Sequence, residues 1–362
     1  MRNVFLAAAL LSGGSLAQTA PVQDLTGLLE PLRVGAGAPS LAGVVVVGDQ
    51  VYGTALSGTV AAGGAPVTSS STFELGAMAA TMTATVIARL VERGLLGWDS
   101  TLGDVLTDVK MLGGYRTVPL KALLSARSGM PFDLLSFKTE PLGAARKAYL
   151  EQALSEPAGP SGVVVSNVAR VAAAMMAEKV SGKTWAALMQ DELFGPLGMN
   201  GCVVGIGTSG DPFPHRWNGD KIVSQPYTAA NPAVRNGADG VRCTLAGLAP
   251  FLRAHLLGES GGSAYLKPAS WKTLHTDPMG TSGRYGLEWG ISGADWTKGP
   301  LLLAGGNDTN NTCVVWVIPG RNVAVMVATN IGMDEKGSTA RTDALLNDAV
   351  NTLVREAFRA NP

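Results

Sequence analysis

The chain has 362 residues, 28 basic against 28 acidic side chains, and 46% hydrophobic residues. This composition excludes bulk disorder, and the zero net charge argues against the basic face that a nucleic-acid-binding protein needs. Three cysteines and three histidines are too few for a disulfide scaffold or a clustered zinc site, so we expect no metal and no cofactor.

The first 17 residues have the pattern of a secretory signal peptide. Arg2 precedes an apolar run from Val4 to Leu11, and small residues follow it as far as Ala17. The run is too short to span a bilayer, and no later segment has about 18 uninterrupted apolar residues. The sequence therefore predicts an exported protein, periplasmic or extracellular, that begins near Gln18 and has no membrane span.

The remaining patterns alternate between strand and helix along the chain. Valine-rich residues 41–53 predict a hairpin with its turn at 48–50. Residues 77–96 predict a helix that ends at Gly94, and about 119–256 predicts mostly helices joined by Gly/Pro loops. Further helices are predicted at 168–180, 186–193 and about 342–358, and strands at 287–291, 313–318 and 323–328.

This order of elements predicts an α+β fold with a helical region inserted into it. We expect residues 18–362 to form a single domain. Its α/β part would cover about 22–117 and 283–362, and its helical region about 118–282.

The three cysteines fall into two groups. Cys202 and Cys243 are able to form a disulfide in an exported protein, but the sequence leaves this pairing open. Cys313 stands in an alternating apolar run, which predicts a buried small hydrophobic residue rather than a reactive thiol.

One generic catalytic pattern, G-x-S-x-G, occurs at residues 258–262. A nucleophile elbow of this kind follows a strand and opens a helix, because that turn exposes the serine and supplies an oxyanion hole. Here the pattern follows a helical run and leads into more loop. We therefore interpret residues 258–262 as a Gly-rich surface loop.

Seven stretches, in order along nearly the whole mature chain, resemble the serine beta-lactamase and penicillin-binding-protein superfamily. The likeness is to the branch of class C beta-lactamases, D-aminopeptidases and esterases. It implies an antiparallel sheet flanked by helices, with an inserted all-helical region. The stretches are 73–80; 91–96 with Asp99; 123–131; 166–167 with 178–183 and 194–199; 237–252; 285–290; and Gly305-Gly306.

The chemistry of that family rests on Ser-x-x-Lys, Tyr-x-Asn and Lys/His-Thr/Ser-Gly elements. Carried over residue by residue, the Ser and Lys positions are Ala77 and Ala80, the Tyr position is Val165, and the third element is Leu303-Ala304-Gly305. No Ser-x-x-Lys occurs anywhere in the chain. The resemblance thus implies the fold of a serine hydrolase whose reactive side chains have been replaced by apolar or small ones.

The resemblance also implies a cleft around these positions. Arg127 is suited to binding a carboxylate with two hydrogen bonds, although a structural arginine is the alternative. Asn167 either faces a ligand or ties a loop to the backbone. The residues that we expect to line the cleft are Arg127, Ser128, Asn167, Gly305, Gly306 and Asn307.

Three functions stay open at the level of sequence. The first is a non-catalytic binding or scaffolding protein of the cell envelope, with a cell-wall peptide or another small ligand in the cleft. The second is a beta-lactamase, DD-peptidase or esterase with relocated catalytic residues, for which Thr81 is the nearest hydroxyl but lacks an activating base. The third is a mainly structural envelope protein. The residues present favour an inactive protein, and they leave the choice between the first and the third function open.

Overall fold

The computed structural model describes residues 21–134, 142–159, 162–227, 233–280, 283–307 and 309–361. The predicted signal peptide lies outside the described residues. The strands are β1 (Gln23–Asp24), β2 (Ser40–Val47), β3 (Gln50–Gly58), β4 (Phe73–Glu74), β5 (Cys202–Val204), β6 (His215–Asn218), β7 (Lys221–Ser224), β8 (Val241–Cys243), β9 (Gly290–Ala294), β10 (Gly299–Asn307), β11 (Thr312–Ile318) and β12 (Val323–Thr329).

The helices flank these strands and fill the middle of the chain. They are α1 (Thr26–Ala36), α2 (Ala79–Glu92), α3 (Leu102–Val105), α4 (Gly113–Arg116), α5 (Leu120–Leu124), α6 (Leu142–Ala153), α7 (Asn167–Ser181), α8 (Trp185–Met189), α9 (Gly195–Leu197), α10 (Leu245–Leu257), α11 (Pro268–Leu274) and α12 (Ala340–Ala360).

A seven-stranded sheet in the order β1-β3-β2-β12-β11-β10-β9 forms the centre of the fold. Its neighbours pair antiparallel, except β1, which pairs parallel with β3. Helices α2 to α11 come between strands β3 and β9 of this sheet in the chain. The predicted α+β fold, an antiparallel sheet flanked by helices with a helical insertion, is therefore confirmed.

Both faces of the central strands are buried. Alternate residues of β12 belong to different cores: Met326 packs with α2 and α10, whereas Val325 packs with α1 and α12. Successive side chains of a strand point to opposite faces, so a strand covered on both sides needs a continuous apolar run. That is the reason why residues 323–328 were recognisable as a strand.

Two predicted elements differ from the observed ones. The strand predicted at 287–291 is wrong in its first half: β9 begins at Gly290, because Glu288 adopts a left-handed conformation with φ +64° and turns the chain. The helix predicted at 186–193 changes after α8 into a π-helical turn at Gln190–Phe194. The other predicted strands and helices are present, with ends shifted by a few residues.

Short strands interrupt the predicted helical region and explain the cysteines. Strand β8 pairs with β4 and β5, and Cys202 stands directly opposite Cys243 in this small sheet. The two residues form a disulfide that closes 41 residues of sequence. Cys313 is buried, as predicted, with its Sγ 3.1 Å from the carbonyl oxygen of Leu75.

Candidate functional site

The segment just before α2 packs against strand β10 through close contacts between the two backbones. A Cβ atom on Gly306 would lie 2.0 Å from the carbonyl oxygen of Leu75, so only glycine fits there. Gly76 has φ +50°, and its Cβ would lie 2.9 Å from the amide nitrogen of Asn307. These two glycines let a 3₁₀ turn at Gly76–Met78 sit directly beside the strand.

A cleft of about 580 Å³ opens beside this contact. It is bounded by the start of α2, the segment before α7, the turn before β9, and strands β10 and β11. Its lining residues are Ala77, Phe132, Val165, Asn167, Arg170, Tyr285, Glu288, Gly290, Leu303, Ala304, Gly305, Asn307, Val314, Trp316, Met333 and Asn347.

Three of the four positions carried over from the family's reactive residues meet in this cleft. Ala77, Val165 and Leu303 line it and are partly exposed. Ala80 is fully buried in α2 behind them and does not reach the cleft surface. The structure therefore brings together, at one surface, positions that are separated by more than 200 residues in sequence.

Of the polar and glycine residues expected in the cleft, only half line it. Asn167, Gly305 and Asn307 do so. Gly306 faces the helix start, as its close approach to Leu75 shows. The remaining two residues, Arg127 and Ser128, lie outside the lining.

Arg127 and Ser128 do not line the cleft, contrary to the expectation from sequence. The Nη2 atom of Arg127 lies 2.9 Å from Oδ2 of Asp277, in an ion pair with both side chains largely buried. The Oγ atom of Ser128 accepts a hydrogen bond from the backbone of Met130 and stabilises a local turn. Both residues act in structure, because long-range packing supplied them with partners that the sequence pattern does not reveal.

Most of the cleft wall is apolar. Phe132 stands at the rim of the cleft and is 58% exposed, whereas the other large apolar residues of the lining are less exposed. Strand β9 pairs with β10 only from Gly299 to Leu303, so that no described strand covers this edge of β10 from Ala304 to Asn307. The apolar wall, as we use the term below, consists of Phe132, Val165, Leu303, Val314, Trp316 and Met333.

A buried ion pair forms the charged part of the cleft. Arg170 in α7 donates from Nε and Nη2 to Oε2 of Glu288, at 2.9 and 2.6 Å. The Tyr285 hydroxyl donates to the same oxygen at 3.1 Å. Burial opposes a charged guanidinium, but the contact with Glu288 outweighs it and raises the pKa of Arg170. Burial and the neighbouring Glu288 raise the pKa of Tyr285, which therefore stays protonated and is not a general base.

Asn167 is held by this network rather than free to meet a ligand. Its Nδ2 donates to Asp133 at 3.0 Å, and its Oδ1 accepts from Nη1 of Arg170 at 3.2 Å. Burial of Asp133 would raise the pKa of its carboxyl group, but hydrogen bonds from Asn167, Tyr149 and Arg235 outweigh burial and lower it. The single polar residue retained from the family's Tyr-x-Asn element therefore has a structural role in this chain.

Arg170, Tyr285 and Glu288 were not recognised from the sequence as cleft residues. One signal was available, since Arg170 stands three residues after Asn167 on the same side of a helix whose residues 171–177 are all apolar. A second lay in the family-like stretch 285–290, which contains both Tyr285 and Glu288.

The alternative nucleophiles considered from sequence are in unsuitable places. Thr81 is buried, and its hydroxyl donates to the carbonyl oxygen of Met78 at 2.8 Å. Ser260 of the G-x-S-x-G pattern is exposed and donates to the carbonyl oxygen of Leu257. Neither residue lines the cleft.

A separate buried chain of polar groups joins α2, α10 and α11. Nε2 of His255 lies 3.1 Å from the Thr85 hydroxyl, and Nδ1 of His255 lies 2.8 Å from Nε2 of His275. Nδ1 of His275 lies 2.7 Å from a carboxylate oxygen of Glu259. Burial lowers the pKa of both histidines. None of these groups lines the cleft.

Two further findings concern the described residues as a whole. No cluster of three or more His, Cys, Asp or Glu side chains there is arranged to hold a metal ion. No helix in the same ranges combines the length and the hydropathy needed to cross a bilayer.

Solved structures define the class of this fold. The D-amino acid amidase from Ochrobactrum anthropi SV3 superposes with a TM-score of 0.74 at 18% identity, over 92% of this chain and 97% of that one. The octameric penicillin-binding protein homologue from Pyrococcus abyssi gives 0.72 at 17% identity, over 90% and 75%. A beta-lactamase from Sulfitobacter sp. EE-36 gives 0.69 at 18% identity, over 90% and 96%.

The chain belongs to the Beta-lactamase family, whose model matches residues 25–349. It is also 26% identical over 361 residues to Penicillin-binding protein 4 of Amycolatopsis lactamdurans, in an alignment that covers 91% of this chain and 90% of that protein. The resemblance inferred from the sequence motifs is therefore confirmed.

Proposed function

We propose that this protein is an exported, non-catalytic member of its family that uses the cleft to bind a ligand of the cell envelope. The observation that carries the proposal is a cleft of about 580 Å³ that persists without its reactive groups. Alanine, valine and leucine stand at Ala77, Val165 and Leu303, where the family chemistry needs a nucleophile and proton carriers. A cleft that has lost its reactive residues but has not been filled in favours binding over catalysis.

The uncovered edge of β10 supports a peptide-like ligand. The backbone of residues 304–307 has no described strand partner on that side, and Ala304, Gly305 and Asn307 border the cleft. An extended peptide is able to add to such an edge through main-chain hydrogen bonds. A cell-wall stem peptide has this chemistry, and it is the ligand class that we propose.

The test is a turnover panel on the purified mature protein. Nitrocefin, a p-nitrophenyl ester and a D-amino-acid amide are incubated with it, and the intact mass is recorded after each incubation. We expect no turnover and no mass increase. A stoichiometric adduct would overturn the proposal, and peptide mapping would then identify the nucleophile.

A catalytically active relative of known activity, assayed in parallel, controls for the quality of the substrates. Export is tested separately, by expressing the full chain in a bacterium and determining the N-terminus of the protein released from the periplasm. We expect a new N-terminus near Gln18. Retention of Met1 in a cytoplasmic fraction would contradict export and, with it, an envelope ligand, but not binding of some ligand in the cleft.

A further inference from the structure

The carboxylate of Glu288 has an unused acceptor inside the cleft. Oε2 receives three donors, two from Arg170 and one from Tyr285. The second oxygen, Oε1, accepts no hydrogen bond from any described residue, although the side chain is only 3% exposed and lines the cleft. Because Glu288 lines the cleft, Oε1 is left open on that side to a hydrogen-bond donor that enters the cleft.

The backbone around Glu288 also carries strain. Glu288 has φ +64°, a conformation that residues with a Cβ atom adopt rarely and at an energetic cost. Its amide nevertheless holds a hydrogen bond to the carbonyl oxygen of Leu124 at 2.8 Å, and its carboxylate holds Arg170. The fold therefore keeps an acidic side chain at a strained position beside the cleft, as is common where a residue contacts a ligand.

We propose that the cleft binds a ligand with an apolar group on the apolar wall and a neutral amide whose N–H donates a hydrogen bond to Oε1 of Glu288. This inference rests on the proposed binding function and names the class of ligand. The apolar wall supplies the surface for an aliphatic or aromatic group. A primary or secondary amide supplies the missing donor.

The charges of the cleft select a neutral head group over a charged one. A carboxylate near Oε1 meets the negative charge of Glu288 at close range. An ammonium near Oε1 is attracted by the carboxylate, but Arg170 already compensates that charge from the other oxygen, and the ammonium must also give up its hydration. The ion pair is neutral as a whole, so an amide gains the hydrogen bond with no charge to desolvate.

The test uses four probes with one phenylpropyl body and different head groups. They are 3-phenylpropanamide, its N,N-dimethyl amide, 3-phenylpropanoate and 3-phenylpropylamine. Binding to the full mature protein is measured by ligand-observed NMR titration at neutral pH. We expect the primary amide to bind with an affinity about tenfold or more above that of the dimethyl amide, because only the former has an N–H donor.

Two variants assign the binding to the cleft. The double variant Arg170→Met/Glu288→Gly removes both charges together, so no buried charge is left alone, and we expect the amide and dimethyl amide to bind it equally. Leu303→Ala removes part of the apolar wall and should weaken all four probes alike. Leu95→Ala, which replaces an exposed leucine outside the cleft, is the matched control and should change nothing.

The outcomes separate this inference from the proposed function. Equal binding of the two amides, strongest binding of the carboxylate or of the amine, or no binding at all would overturn the assignment to Glu288. Discrimination between the two amides that survives in the Arg170→Met/Glu288→Gly variant would do the same. The proposed function fails in a different way, by turnover or a covalent adduct in the substrate panel.

Discussion

The buried pair of Arg170 and Glu288 offers the sharpest test of the energetics of the cleft. Their side chains are 7% and 3% exposed, so little water is able to replace either partner. Glu288→Gln leaves the guanidinium buried beside a neutral amide, and breaking a buried pair in this way costs about 3–5 kcal/mol. For a chain of this size, about 2 °C of melting temperature is lost per kcal/mol, which gives a decrease of about 6–10 °C.

The double variant Arg170→Met/Glu288→Gly should be more stable than Glu288→Gln, although it changes two residues. It removes both charges, and it places glycine at a backbone position with φ +64°. Thermal and urea unfolding, followed by circular dichroism, measure the stability of the two single variants, Arg170→Met and Glu288→Gly, and of the double variant. Additivity of Arg170→Met and Glu288→Gly in the double would refute the argument, because coupled partners must show a non-additive term.

An exposed ion pair provides the control for this cycle. Nη2 of Arg341 lies 3.0 Å from Oδ1 of Asp220, but these side chains are 54% and 95% exposed. Water screens such a pair, so Asp220→Asn should leave the melting temperature within experimental error. A loss as large as that in Glu288→Gln would mean that burial is not the cause.

Three further predictions concern other sites. The Ala77→Ser variant should remain unlabelled by fluorescent penicillin on a denaturing gel, because no described residue lining the cleft is a lysine or histidine able to activate the hydroxyl. A labelled band would contradict this prediction. Burial lowers the pKa of His255 and His275 below the ordinary 6.5, so the unfolded chain binds more protons than the folded one in mild acid. The free energy of unfolding should therefore fall as the pH drops from about 6.5 to 5.5, and a urea midpoint that stays constant over this range would contradict the argument. Reduction of Cys202–Cys243, which closes 41 residues, should cost about 4 kcal/mol, and an unchanged melting temperature in reductant would exclude this stabilisation.

Much of the fold was predictable because its signals are local. Strand β12 is apolar from Val323 to Ala328, and the helix over α2 carries its large side chains four residues apart, so both could be recognised from a few neighbouring residues. The order of strands, helices and strands then restricted the architecture. The loss of the family's reactive residues was likewise visible from the sequence, since Ala77 and Ala80 stand where a serine and a lysine would be required.

The role of each arginine was not predictable in this way. Arg127 and Arg170 both stand next to family-like motifs, and each finds a carboxylate more than 100 residues away in sequence. Arg127 pairs with Asp277 outside the cleft lining, whereas Arg170 pairs with Glu288 inside it. Which partner an arginine meets depends on how distant segments pack.

The sequence alone therefore determined the family, the order of the elements and the absence of the known reactive groups. These properties depend on residue type and short-range spacing. Only the tertiary structure decided that Asn167 is held by Asp133 and Arg170, and that Glu288 presents an unused oxygen to an apolar cleft. The physical reason is that burial and hydrogen-bond partnership are properties of contacts between segments far apart in the chain.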